Sequence, residues 1–160
     1  MSPARPIAAA VSAVAAESRR RELAAREAAS QWRALQALAH EVISSKAWPQ
    51  IAGAAALALN QIFRAPSVIL TRRSGELQLA ASAGAASLAV AEMEAARWVL
   101  SERLALRAEA YPFDASTFDF WPVGGPGERG CVIGVAFQAG GGRRAAEADR
   151  FAEMLSLIHI

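Results

Sequence analysis

Cysteine and lysine are almost missing from this chain, which has one of each, Cys131 and Lys46. A lone cysteine excludes an internal disulfide and a CxxC metal site, and it fits a reducing compartment. Because Cys131 stands inside an apolar run, it reads as an inert core thiol. All but one of the 17 basic residues are arginine. With the excess of alanine and glycine, that bias points to GC-rich coding DNA. No dense basic patch interleaves with aromatics, as a nucleic-acid interface would require, so no nucleic-acid partner is expected. Long apolar runs are lacking too. The tract Ile7–Ala16, IAAAVSAVAA, falls well short of the ~20 residues that span a bilayer. Pro3 and Pro6 interrupt it as a signal peptide. The hydrophobic fraction of 54% is inflated by alanine and carries no membrane signal.

Catalytic motifs are absent as well. Gly124–Gly130 is glycine-rich but lacks the lysine-serine/threonine ending and the following helix of a phosphate loop. Gly140–Arg144, ahead of a helix, is either an anion-holding helix start or a plain linker. Asp114 and Asp119 flank an aromatic cluster, with no histidine or second carboxylate pair positioned for acid–base work. No Ser/His/Asp order has motif support. His40-Glu41 has the first two residues of a kinase phosphoacceptor box, but Ser45 stands where that box needs proline. No catalytic residue, cofactor or metal site is expected in this chain.

What is present organises around Phe118–Phe137, FDFWPVGGPGERGCVIGVAF. Phe118–Val123 is aromatic and β-prone, and Gly124–Gly130 is a turn. Cys131–Phe137 is an apolar run of the kind covered on both faces. Cys131, Ile133, Val135 and Phe137 form its bulky side. Val132, Gly134 and Ala136 form a smaller side that would let a helix pack close. This hairpin is expected at the centre of an antiparallel sheet.

The 160 residues suit one domain plus an extension. Glu17–Ser45 reads as one long helix without Gly or Pro. Its apolar stripe is Ala25, Ala28, Trp32, Leu35, Ala39 and Val42. Either it packs on the sheet or it pairs with a second chain, through Trp32, Leu35 and Val42. Pro49–Phe63 is a second helix. Ser67–Thr71 and Leu77–Ala81 are strands joined by a hairpin turn. Ser87 is the expected cap of a helix over Leu88–Arg103, with Val90, Met93, Ala96, Leu100 and Leu104 inward. A last helix starts at Arg144, with Phe151, Met154 and Leu155 apolar. Hairpins dominate over crossovers, which predicts an α+β fold: a largely antiparallel sheet flanked by helices. Tyr111, Phe113, Phe118, Phe120 and Trp121 cluster in sequence, with Trp98 facing them. They are either plain core or the lining of a pocket, for which we single out Trp98, Tyr111, Phe118, Phe120 and Trp121.

These stretches together resemble one family. The arginine-rich stalk RRRELAAREAASQWRALQALAHEV, the alanine-rich helix before SVILT, the helix EMEAARWVLSE with its Trp98, and the hairpin FDFWPVGGPGERGCVIGVAF are similar to the cytoplasmic GAF-like domain of KdpD-type sensor histidine kinases. Those kinases respond to potassium limitation and osmotic stress. The chain departs from the family at Ala110–Asp114, where a Gly-Thr-Asp-like turn is usual.

The resemblance implies a membrane-proximal or disordered tail over 1–16, a signalling helix over 17–45 and a GAF-like domain over 46–154. It implies a non-catalytic relay domain, cytoplasmic, within an inner-membrane parent that is an ATP-dependent protein histidine kinase. Its partners would be the neighbouring membrane and kinase domains and a second copy met through the terminal helices. The arginines after Ile7–Ala16 then read as the cytoplasmic flank of a membrane helix. None of the ligand residues of other GAF domains carries over. A small-molecule-binding GAF domain of a soluble regulator is the alternative. A GAF-fold methionine sulfoxide reductase is disfavoured, since its chemistry needs a resolving thiol.

Leu155–Ile160, LSLIHI, reads as the in-frame translation of a transposase mosaic-end adapter, CTG TCT CTT ATA CAC ATC, one version of which continues into a stop codon. On that reading 155–160 is an adapter-derived tail on a gene fragment, and His159 is no ligand.

Overall fold

The apolar run at Cys131 demands cover on both faces, and the computed structural model supplies it. The structure describes residues 4–44, 47–124, 130–137, 148–150 and 152–153. The elements are α1 (Ala4–Ser44), α2 (Trp48–Phe63), β1 (Ser67–Arg73), β2 (Glu76–Ala83), α3 (Val90–Glu102), β3 (Asp119–Val123) and β4 (Cys131–Val135). A terminal helical segment covers 148–150 and 152–153. The strands form a four-stranded sheet in the order β2-β1-β4-β3, antiparallel at every pairing. The fold is α+β, as expected.

The centre of the sheet differs from the expectation. β1 and β4 are the inner strands, and β3 is an edge. β4 is buried at all five positions. β3 carries Pro122, which has no N–H for a ladder, and proline confines a strand to an edge or a bulge. The outer side of β3 is capped by one bridge: Leu106 and Phe120 exchange backbone hydrogen bonds of 2.9 and 2.8 Å.

Strand alternation sorts the core into two layers. Ile69, Trp121, Val123, Cys131, Ile133 and Val135 face α1, α2 and the terminal segment. Val68, Leu70, Phe120 and Val132 face α3. α2 presents Ala52, Ala55, Ala56, Leu59 and Phe63 to the first layer. Its alanines let the backbone come close, and buried Ser67 donates from Oγ to the Ala56 carbonyl at 2.7 Å. Pro49 sits in the first turn, and Arg64 ends the helix in the left-handed region at φ 50°.

The β1–β2 turn is tighter than the sequence suggests. Ser74 and Gly75 both have positive φ, 54° and 88°, as a two-residue hairpin turn needs. In β2 the register slips between Ile69 and Leu70 of β1, leaving Ala80 as the extra residue. Leu77, ahead of the slip, is buried, whereas Leu79, next to it on the edge strand, is exposed. α3 starts at Val90 rather than Leu88, and Ser87 is not its cap. Glu92 takes that role, accepting from the Ala89 N–H at 3.0 Å. Its buried face is Ala95, Ala96, Val99 and Leu100, while Val90 and Leu104 are exposed. The physical reason is the C-cap: Arg103 turns left-handed at φ 59° and takes Leu104 off the helix.

The small side of β4 is filled differently from the expectation. A Cβ on Gly134 would meet Phe120 Cε1 at 2.5 Å and Val68 Cγ2 at 2.7 Å. The space belongs to the Phe120 ring across the strand, not to a helix.

α1 begins at Ala4 rather than Glu17. Among its described side chains the docked ones are C-terminal: Ala34 and Leu38 are buried against α2. From Ala15 to Ala29 every residue is exposed. Parts of several expectations lie outside the described residues: the turn residues 125–129, the glycine run at 140–144, the apolar residues Phe151, Met154 and Leu155, and the tail 155–160.

Candidate functional site: the joint beneath the terminal helices

The aromatic residues expected to line a single pocket are divided by the sheet. Phe118 and Phe120 stack at 5.7 Å between centroids on the α3 side. Trp121 lies on the opposite face and meets Phe137 edge-on at 6.4 Å. Trp98 packs on Phe113 at 5.8 Å, half-buried, on the α3 side. Tyr111 is 93% exposed and joins neither group. The signal was in the sequence: side chains at positions 120 and 121 of a strand point to opposite faces.

The dimer stripe is divided too. Trp32 is 63% exposed and Leu35 is half-buried against α2, while the side chain of Val42 lies outside the described residues. Two positions at about 100° each put Trp32 roughly 160° around the helix from the docked Ala34. Ala25, Ala28 and Ala39 are exposed along with Trp32. The face that docks on the domain is thus Ala34 and Leu38, and most of the predicted stripe looks outward.

Where chemistry was sought, the groups are otherwise engaged. Burial pushes the Cys131 thiol up to about 12, by desolvation first, with a backbone hydrogen bond from Val132 opposing it. A thiol so placed stays protonated and is no nucleophile. Asp114 and His40 lie on the surface. Glu92 is buried and spans two elements. Besides capping α3 it accepts from Thr117 N at 3.4 Å and Thr117 Oγ1 at 3.3 Å, fixing α3 to the approach of β3. Among the described residues no three of His, Cys, Asp and Glu come together as a metal would need. No described helix is long and apolar enough to cross a membrane.

One polar cluster ties the parts together, and it is centred on Arg107. Its Nη1 donates to Asp119 Oδ2 at 3.2 Å, at the start of β3. Its Nη2 donates to both carboxylate oxygens of Asp149, at 2.9 and 2.7 Å, in the terminal segment. The guanidinium lies over the Trp121 ring, 5.3 Å from the centroid, and the Trp121 indole N–H donates to Asp149. Asp119, 6% exposed, also accepts from the Ala108 N–H at 2.6 Å. A buried carboxylate needs such partners, and a planar guanidinium can serve two carboxylates at once. Beneath this clasp, Ala34 and Leu38 of α1 and Ala148 and Ala152 of the terminal segment belong to one apolar core.

Asp119 stands out in the sequence, with Asp114, as a carboxylate flanking the aromatic cluster. Arg107 and Asp149 were not singled out, and 42 positions separate them. No motif links residues that far apart; only the closing of the core brings them together. Compared with known proteins, the chain matches no family model and no curated protein.

Proposed function

We propose that this chain is a signal-relay module: the GAF-like cytoplasmic domain of a KdpD-type sensor histidine kinase of the inner membrane. It passes displacement of α1 to the terminal helix and makes or breaks no covalent bond. One observation carries the reading. The last docked turns of α1 and the terminal segment share a single core on one face of the sheet, and Arg107 clasps that segment to β3. A shift of Leu38 against α2 reaches Ala148 and Ala152 through the core they share. Such a module needs two packings of its helices separated by a small free energy, biased by the neighbours at either end. A clasp that is half solvent-exposed, with Arg107 43% and Asp149 40% accessible, is of the right modest strength to be made in one packing and loosened in the other.

The exposed stripe of α1 is where a second copy pairs. The test uses the intact parent kinase with cysteine introduced at Trp32, Leu35 or Val42. Oxidation is expected to give crosslinked dimer at Trp32→Cys, and Arg107→Gln is expected to change basal autophosphorylation. Monomer alone at all three positions, together with an Arg107→Gln kinase indistinguishable from wild type, overturns the proposal.

A further inference from the structure

We propose that the cleft between the start of α2 and the β1–β2 hairpin binds a small organic anion, a carboxylate or phosphate carried on an apolar body. The cleft encloses about 720 Å³ and is walled by Trp48 and Pro49 from α2, Arg72 and Arg73 from β1, and Gln78 and Leu79 from β2. That volume lies within the range of small-molecule sites. Two arginines and no acidic residue line it.

Among the described residues neither Arg72 nor Arg73 has an ion-pair partner. Glu76 stands opposite Arg73 in the register. It also lines a second hollow of about 460 Å³ with Arg72, Arg97 and Leu100, so Arg72 borders both. Consecutive strand residues point to opposite faces, so Arg73, on the α2 face of β1 with Ile69, is the cation assigned to the anion; a guanidinium suits a planar carboxylate or a phosphate.

The apolar half of the cleft asks for a second kind of contact. Leu79, next to the Ala80 bulge on the edge strand β2, is 51% exposed. Pro49 and the Trp48 ring stand across from it in the same cleft. The Trp48 indole N–H is buried without an acceptor among the described residues. A bare inorganic anion would satisfy Arg73 and leave this wall wet. An anion with an apolar body would satisfy both. None of the aromatics expected to line a pocket takes part.

The inference stands apart from the relay reading, which the crosslinks test separately. Phenyl phosphate is titrated calorimetrically into the whole chain, with inorganic phosphate as the comparison. Saturable one-to-one binding is expected, at least about tenfold tighter than that of inorganic phosphate. Replacing both cations, Arg72→Gln with Arg73→Gln, is expected to weaken it about tenfold or more, while Arg97→Gln in the neighbouring hollow leaves it unchanged. Circular dichroism checks that the variants fold. Should the double variant not fold, Leu79→Glu, which puts a carboxylate into the cleft, is expected to abolish binding. No saturable binding at millimolar probe overturns the inference. So does affinity unchanged by these substitutions, equal affinity for inorganic phosphate, or co-sedimentation with phosphatidylglycerol vesicles in a chain that ignores phenyl phosphate.

Discussion

Gly134→Ala adds one methyl group at the most crowded point of the sheet. Gly134 pairs with Val68 on one side and Phe120 on the other. The new Cβ would stand 2.5 and 2.8 Å from two carbons of the Phe120 ring and 2.7 Å from Val68 Cγ2. Carbon atoms rest at about 3.5–4.0 Å, so each overlap approaches 1 Å. Neither neighbour can step aside. Phe120 is fully buried and its ring stacks on Phe118; Val68 is fully buried in the inner strand β1. Overpacking of this kind costs about 1–3 kcal/mol. Loss of glycine's freedom in the unfolded chain returns about 0.4–1 kcal/mol. The expected net destabilisation is about 1–2 kcal/mol, since the larger overlap terms win. In urea, with a slope near 2 kcal/mol/M, the midpoint falls by roughly 0.5–1 M. Phe120→Leu shortens the opposing side chain. In that background Gly134→Ala should cost at least about 1 kcal/mol less than in the wild type, a coupling within the range for touching residues. A midpoint unmoved by Gly134→Ala, or strict additivity with Phe120→Leu, would refute the claim that the glycine exists to seat this ring.

Three further outcomes follow from the same geometry. Arg107→Gln leaves buried Asp119 with the Ala108 N–H as its remaining partner and should cost about 1–2 kcal/mol, discounted because Arg107 is partly solvated; chemical denaturation checks this. Glu92→Ala removes both the cap of α3 and the tie to Thr117 and should cost about 1–2 kcal/mol, with faster amide exchange at Ala89 and Thr117. The Cys131 thiol, raised from 9.0 to about 12, makes the fold alkali-sensitive. Its folded value exceeds the unfolded one, so its contribution is complete below 9.0 and is lost as pH climbs toward about 12. Within that window stability should fall by up to about 1.4 kcal/mol per pH unit relative to Cys131→Val, measured by urea midpoints at paired pH values. Equal slopes for the two proteins would contradict it.

Much of the fold was legible because its causes are local. The apolar run Cys131–Val135 states its double burial, Pro49 and the Arg64–Pro66 break delimit α2, and Ser74-Gly75 places a turn between two β-prone runs. The division of Phe120 from Trp121 was also legible, through the period of two, although proximity in sequence suggested a single cluster. The joint was not legible. An arginine in an irregular segment and an aspartate in the last helix carry no mark of each other until the sheet and the terminal segment close on a common core.

By itself, then, the order of residues determined which segments are helix or strand and which of them must be buried, because hydrophobic period and backbone stereochemistry act within a few residues. Tertiary structure alone decided that β1 and β4 lie at the centre, that the Phe120 ring occupies the space above Gly134, and that Arg107 holds Asp119 and Asp149 together. Those outcomes depend on distances between parts of the chain remote in sequence, and only the packed core sets such distances.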